Sequence, residues 1–243
     1  MKRDRILKYS FYVWFTIVPF FCILLDLLFS TIQPDPEYGD RTQNFDFSII
    51  NQMIYLSVWI SFATSLFGLC NWIHFHHNNM PSWLVGKNNI TRLATLNVFA
   101  FILYNITLIV STVVGFNTWY KILKSVLEHM ITPVLFIVFY FVFANDKVDN
   151  KQYLKRYSWF NLMHVGLYML FIAMRGIMIT QFIPNIDDAF TPWPYDQLNP
   201  DIVGYPLFFL GIFAIFAGMI LLAVFLNYLS NLKIHKLNKN RTI

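Results

Sequence analysis

Two ionisable residues open one of the apolar stretches of this chain, and a proline follows them at helical spacing. Glu128 and His129 begin a stretch that runs to Phe143, and Pro133 stands one helical turn after the histidine. Carboxylates and imidazoles are the side chains that most often move protons in catalysis. Because proline has no amide hydrogen to donate, the carbonyl of His129 would lack its usual helical partner. The pattern predicts a bent helix that carries an exposed acceptor beside an imidazole.

Other polar residues occur inside apolar runs at a comparable depth. They are Asp26 in the first run, Ser48 and Asn51 at the start of the second, and Arg175 in the fifth. At about 1.5 Å per helical residue, each lies within roughly 12 Å of the same end of the predicted bundle. Ionisable groups are costly inside a membrane and therefore commonly mark a functional site. We expect these side chains and His129 to share a polar cavity near the outer surface.

Each of these residues also has a purely structural interpretation. Asp26 and Arg175 could form a buried ion pair that fixes helix packing. Ser48 and Asn51 could supply a helix cap and a hydrogen bond between helices. The histidines of the segment 74–77 have no carboxylate or cysteine nearby. We therefore predict neither a metal site nor a cofactor.

The composition places these residues in a membrane protein. Of the 243 residues, 57% are hydrophobic and only 13% are charged, which is too apolar for a soluble domain. A spanning helix needs roughly 20 apolar residues. Runs of that length lie near 9–31, 48–73, 93–115, 122–144, 159–183 and 203–230. We predict an all-α integral membrane protein, a single domain over 1–243 that forms a bundle of six transmembrane helices.

The basic residues are distributed unequally between the two ends of this bundle. Fourteen of the 18 lysines and arginines fall on the side shared by the two termini. Positively charged residues favour the cytoplasmic side of a membrane. The distribution predicts cytoplasmic termini and a multi-pass protein of the cell membrane. Because the basic residues lie beside the spans rather than in one patch, we do not expect a nucleic-acid partner.

The outer loop before the last run has an unusual composition. It contains four prolines together with Trp193 and Tyr195. Prolines stiffen a loop, and aromatic side chains favour the interface between membrane and water. The loop either caps a cavity, with Trp193 and Tyr195 as lid residues, or is an ordinary interfacial anchor.

The order of these short motifs resembles a family of bacterial six-pass integral membrane proteins. The motifs are Phe47-Ser48, Glu-His-x-x-x-Pro at 128–133, Arg175-Gly176, Trp193-Pro194-Tyr195 and Gly204-Tyr205. The family includes proteins of mollicutes, is largely of unknown function, and is distantly similar to the androgen-induced membrane proteins of animals. Those proteins are threonine hydrolases of fatty acid esters of hydroxy fatty acids, and an intramembrane threonine and histidine are essential to them. The resemblance covers roughly residues 45–230.

The resemblance implies a hydrolase of lipid acyl esters and assigns roles to two residues, to which the other polar residues of the runs can be added on chemical grounds. His129 matches the essential histidine, and Ser48 is the nearest counterpart of the threonine. A hydroxyl attacks an ester when a base removes its proton, so Ser48 would be the nucleophile and His129 the base. Arg175 would bind a substrate carboxylate or stabilise developing negative charge. Asp26 would orient His129 or balance Arg175, and Asn51 would take part in substrate binding.

Two other functions remain open from the sequence. The same buried charges could form the site of a carrier or binding protein for a lipid or a small amphipathic molecule, although no inverted repeat is visible. The chain could also be a non-enzymatic membrane subunit in which buried charges only hold helices together. Membrane lipids surround the protein under each hypothesis, and the hydrolase requires a lipid-like substrate.

Overall fold

Six long helices dominate the computed structural model, which describes residues 2–34, 43–110, 116–143, 146–183 and 192–241. Each is long and apolar enough to cross a membrane. They cover Arg3–Ile32, Leu56–His77, Ser82–Ile109, Trp119–Phe143, Asn150–Phe182 and Tyr205–Ile234. The prediction of an all-helical chain with six helices able to span a membrane is confirmed, and the described residues contain no strand.

Several of the spans consist of more than one helical segment. The α-helices are α1 (Lys2–Ile32), α2 (Phe45–Met53), α3 (Leu56–His77), α4 (Ser82–Val85), α5 (Lys87–Val110), α6 (Trp119–Val126), α7 (Thr132–Phe143), α8 (Asn150–Gln152), α9 (Phe160–Phe182), α10 (Pro200–Val203) and α11 (Tyr205–Arg241). The first π turn, Leu127–Ile131, joins α6 to α7, and the second, Tyr153–Tyr157, follows α8. A 3₁₀ turn, Asp196–Leu198, precedes α10.

The second predicted run is divided where Tyr55 adopts an extended backbone conformation. Asn44 caps the short helix α2, because its side chain accepts a hydrogen bond from the amide of Phe47 at 3.2 Å. Such a cap supplies a partner for one of the amides that the first helical turn leaves free. Ser48 therefore lies in a separate helix that packs on α1, and α3 forms the span.

Aromatic packing joins α1, α3 and α7 at the centre of the bundle. Phe136 of α7 lies 4.7 Å from Phe15 and 5.3 Å from Phe67, measured between ring centroids. At Gly68 the backbones of α1 and α3 come so close that a Cβ would lie 2.4 Å from the amide nitrogen of Thr16. Small residues permit this kind of approach between membrane helices. The packing fixes the position of the polar groups that α1 carries toward its C-terminal end.

The fourth span contains a π turn at the place where the sequence predicted a bend. The amide of Thr132 donates to the carbonyl of Leu127, five residues earlier rather than four. Pro133 follows directly and offers no hydrogen to the carbonyl of His129. The helix thus widens by one residue where it carries its ionisable side chains, as π turns often do at functional sites.

Candidate acid–base site

The first π turn buries a carboxylate inside the bundle. Glu128 is only 5% exposed, and Ser61 of α3 donates a hydrogen bond from Oγ to its Oε1 at 2.8 Å. The other carboxylate oxygen, Oε2, is buried without a hydrogen-bond partner. Leaving a buried polar atom unsatisfied is costly. The carboxylate therefore has hydrogen-bonding capacity that helix packing does not use.

A largely buried ion pair lies one turn from Glu128. The Nζ atom of Lys124 is 2.5 Å from Oδ2 of Asp26, and the two side chains are 12% and 11% exposed. Glu128 also acts electrostatically on Lys124, so one ammonium group serves two carboxylates. The described contacts pair Asp26 with Lys124, and none of them joins Asp26 to His129 or Arg175, the two partners expected from the sequence. Lys124, which lies in α6 one helical turn before Glu128, takes their place.

His129 faces a different helix from Glu128. Its ring stacks on Tyr104 of α5, with centroids 4.0 Å apart and an angle of 5° between the planes. Its Nδ1 is buried and has no hydrogen-bond partner. Glu128 nevertheless acts electrostatically on the imidazole. We refer to Asp26, Ser61, Lys124, Glu128 and His129 as the acid–base cluster.

Ser48 lies outside the acid–base cluster. Its hydroxyl is 2.7 Å from that of Ser30, and both side chains are buried. Ser30 is eight residues along α1 from Cys22, on which Glu128 acts electrostatically, and eight helical residues rise about 12 Å. No described contact joins Ser48 to His129, whose ring packs on Tyr104 instead. Ser30 lies one helical turn beyond Asp26 in α1, so α2 places Ser48 about one turn from the level of the Asp26–Lys124 pair.

Gln52, rather than its neighbour Asn51, makes a second polar contact between α2 and α1. Asn51 is partly buried, and its side chain takes part in no hydrogen bond within the described chain. In the amide orientation that satisfies both partners, Gln52 donates to the carbonyl of Ile23 at 3.3 Å and accepts from the amide of Leu27 at 2.7 Å. A regular α-helix pairs those two backbone groups with each other. Gln52 thus holds α1 at the turn that carries Asp26.

Arg175 and Trp193 hold the outer loop against the fifth span. Nη1 of Arg175 donates to the carbonyl of Pro192 at 2.8 Å. Trp193 is buried against Gly176, where a Cβ would lie 2.4 Å from the indole. The arginine therefore positions the loop, and none of its described hydrogen bonds reaches the acid–base cluster.

Tyr195 extends from the same loop toward the acid–base cluster. Its hydroxyl adjoins that of Tyr168 and the amide of Leu56. Burial raises the pKa of the Tyr195 phenol, and the negative charge of Glu128 adds to the rise. Of the predicted lid residues, Tyr195 is thus within electrostatic reach of the cluster. The part of the loop formed by residues 184–191 lies outside the described residues.

Sequence reasoning missed two members of the cluster, Lys124 and Ser61. A signal existed for the lysine, because Lys124 and Glu128 are four residues apart and such spacing places side chains on one helix face. No comparable signal distinguishes Ser61 from the other hydroxyl residues of α3. Among the described residues, no group of three histidine, cysteine or acidic side chains is arranged to hold a metal ion.

Comparison with known proteins gives no match: no protein-family model, curated protein or solved structure matches this chain. The geometry of the acid–base cluster is therefore the main basis for a functional inference.

Proposed function

We propose that this protein is an intramembrane hydrolase of lipid acyl esters. The observation that carries the proposal is the hydrogen bond from Ser61 to Glu128, with 2.8 Å between the oxygens. A hydroxyl becomes a nucleophile when a base lies within hydrogen-bond reach of its proton. The sequence resembles a six-pass family that is distantly similar to lipid-ester hydrolases, and this favours the same class of reaction.

In the first half of the reaction, the serine attacks the ester. The Ser61 oxygen bonds to the carbonyl carbon while its proton passes to Oε1 of Glu128. Lys124 supplies positive charge beside the negative charge that develops in the transition state. The bond to the alcohol then breaks, and the alcohol leaves with the proton. The products of this half are acyl-Ser61 and the free alcohol.

In the second half, water replaces the alcohol. Glu128 takes a proton from the attacking water, the acyl bond to Ser61 breaks, and the serine oxygen regains a proton as the fatty acid leaves. His129 provides a second proton-accepting atom, because its Nδ1 has no other partner. Tyr195 of the lid lies within electrostatic reach of Glu128 and limits the access of water. The ester reaches the cluster sideways from the outer leaflet.

Ser48 is the rival nucleophile that the resemblance implies. Its partner is the hydroxyl of Ser30 at 2.7 Å, which is not a base at neutral pH. The geometry therefore favours Ser61, and substitutions at the two serines distinguish the assignments.

The proposal is tested by labelling the purified full-length protein with a fluorophosphonate probe and by measuring the hydrolysis of a lipid ester in detergent. We expect the wild type to react and Ser61→Ala to lose labelling. Ser61→Ala, Glu128→Gln and His129→Ala should each lower turnover at least about 100-fold. Ser65→Ala is the matched control, because Ser65 lies one turn further along α3 and donates to the carbonyl of Thr16 instead.

The outcomes separate the hypotheses. Loss of labelling in Ser48→Ala but not in Ser61→Ala would move the nucleophile to Ser48 and keep the reaction class. A folded wild type that neither labels with several probe chemotypes nor hydrolyses any lipid ester would exclude the hydrolase. A non-enzymatic membrane subunit would then remain, together with the carrier described next.

A carrier of a lipid or small amphipathic molecule is the second candidate, and the Asp26–Lys124–Glu128 group favours it. Two carboxylates that share one ammonium group form a site whose charge can change when a substrate or proton binds. A carrier would transfer a fluorescent lipid analogue across a liposome membrane, and Ser61→Ala would leave that transfer unchanged.

We further propose that the protein resides in the cell membrane with cytoplasmic termini. The excess of lysines and arginines beside the ends of the spans supports this orientation. It puts the acid–base cluster in the half of the membrane that faces outward. Protease accessibility of tags at the two termini in intact and lysed cells tests the orientation.

A further inference from the structure

A cationic side chain without an acidic partner lies toward the opposite end of the bundle from the acid–base cluster. Arg92 is in the second turn of α5 and is partly buried. Its Nε donates to Oδ1 of Asn89 at 3.0 Å, and it forms no ion pair within the described residues. A guanidinium is permanently charged and has five N–H donors. One bond to a neutral amide leaves its charge without compensation.

Three polar atoms on the neighbouring span are buried and have no hydrogen-bond partner. They are the hydroxyl of Tyr153, Oδ1 of Asn161 and Nε2 of His164, and the first two adjoin each other. Tyr153 and Asn161 are fully buried, and the guanidinium of Arg92 acts electrostatically on Tyr153 and His164. Native proteins rarely leave buried polar atoms unsatisfied. Three such atoms beside one uncompensated cation indicate a polar ligand.

We propose that Arg92, Tyr153 and His164 form a binding site for the phosphate group of an anionic membrane lipid. The guanidinium matches phosphate with two parallel hydrogen bonds. The tyrosine hydroxyl and the imidazole N–H are further donors, and Asn161 offers an acceptor for a hydroxyl of the headgroup. No carboxylate belongs to the cluster, so nothing in it repels an anion.

The position of the cluster favours a lipid over a dissolved anion. Arg92 lies in the span Ser82–Ile109, and the other members lie in the span Asn150–Phe182. Basic sites between spans at the cytoplasmic side are typical places for anionic headgroups. The same end of the bundle carries most of the lysines and arginines of the chain, which raises the local concentration of anionic lipids.

The experiment uses native mass spectrometry of the purified full-length protein. The protein is released from detergent after incubation with equal amounts of phosphatidylglycerol and phosphatidylcholine that carry the same acyl chains. We expect the wild type to retain phosphatidylglycerol in preference. In Arg92→Gln the preference should fall roughly tenfold, which corresponds to the loss of a charged hydrogen bond.

Arg156→Gln is the matched control. Arg156 is exposed, lies in the second π turn at the same end of the bundle, and its substitution removes the same charge. It should leave the lipid preference close to that of the wild type. Equal effects of Arg92→Gln and Arg156→Gln would overturn the site, because they would indicate a general attraction by surface charge.

Tyr153→Phe keeps the proposal testable if Arg92→Gln does not fold. It removes only the unpartnered hydroxyl and should lower the preference by roughly threefold. A wild type without preference for phosphatidylglycerol would overturn the proposal. A Tyr153→Phe protein with the same lipid preference as the wild type would also overturn it. Inorganic phosphate distinguishes the sources of the ligand. Displacement of phosphatidylglycerol by millimolar phosphate would overturn the lipid assignment, and retention would support it.

Discussion

Two polar regions inside the bundle differ in how their buried groups are satisfied. The neutral layer, formed by Thr16, Thr64, Ser65 and Asn97, joins α1, α3 and α5 through hydrogen bonds. Asn97 donates to Oγ1 of Thr64 at 3.0 Å, and Ser65 donates to the carbonyl of Thr16 at 2.7 Å. No atom of these four side chains is among the buried polar atoms that lack a partner. The layer has the composition of polar residues that hold membrane helices together.

The acid–base cluster has the opposite character. It contains four ionisable side chains, and both Oε2 of Glu128 and Nδ1 of His129 are buried without a partner. Hydrogen bonds between neutral groups would join the helices at a lower cost of desolvation. The two regions thus differ in charge and in unused hydrogen-bonding capacity, and these two properties, rather than burial of polar groups alone, distinguish the candidate site.

The largest expected effect on stability comes from removing the shared cation. Lys124→Met leaves the Asp26 carboxylate buried without its partner, and breaking a buried pair from one side typically costs about 3–5 kcal/mol. Thermal unfolding in detergent measures the loss. The double variant Asp26→Asn with Lys124→Met should recover most of it. Equal stability of Lys124→Met and the wild type would show that this ion pair does not stabilise the fold.

A smaller effect is expected where the lid packs on the fifth span. Gly176→Ala places a methyl group 2.4 Å from the indole of Trp193, so the ring must move. Overpacking of this kind costs about 1–3 kcal/mol. We expect a lower unfolding temperature and a red-shifted tryptophan emission. Gly211→Ala is the control, since nothing lies within 4 Å of a Cβ at that position.

Breaking the neutral layer should cost still less. Asn97→Leu removes the bond to Thr64, and hydrogen bonds between membrane helices contribute about 0.6 kcal/mol on average. Turnover of a lipid ester should remain at the wild-type rate, because the layer carries no charge for catalysis. A loss of turnover as large as that of Ser61→Ala would contradict the distinction between the two regions.

The smallest effect on stability is expected from Glu128→Gln. The amide oxygen still accepts from Ser61, and a neutral group costs less to bury than a carboxylate. The free energy of unfolding should change by less than about 0.5 kcal/mol, while turnover should fall at least about 100-fold. Parallel unfolding and activity measurements on one preparation check both numbers. Strong destabilisation would make Glu128 a structural residue like Asn97.

The six spans follow directly from the sequence because their length and hydropathy depend on local composition. Pro133 predicts the irregularity of the fourth span, because proline has no amide hydrogen to donate to the carbonyl one turn earlier. The sequence indicated a bend there, and the structure forms it as a π turn. The division between α2 and α3 was not foreseen, since the apolar run continues through Tyr55. Local apolar character does not reveal where a membrane-embedded chain interrupts its helix.

The partners within the candidate site were harder to predict than its location. His129 was recognised from its chemistry, but Ser61 was not. Side-chain partners depend on how each helix is rotated, and nearly every face of these helices is apolar, so periodicity carries little information about rotation. Asp26 shows the same limit, because several basic residues lay at a suitable depth and only packing selects Lys124.

The π turn of the fourth span also bears on how relatives of this chain are recognised. Its hydrogen bond spans five residues where an α-helix spans four. A homologue with an uninterrupted helix would therefore align with this chain through a gap of one residue between Lys124 and Thr132. Alignments that forbid gaps inside membrane spans would match either the lysine or the proline motif, but not both. A search that permits one deletion there is the form best suited to finding such homologues.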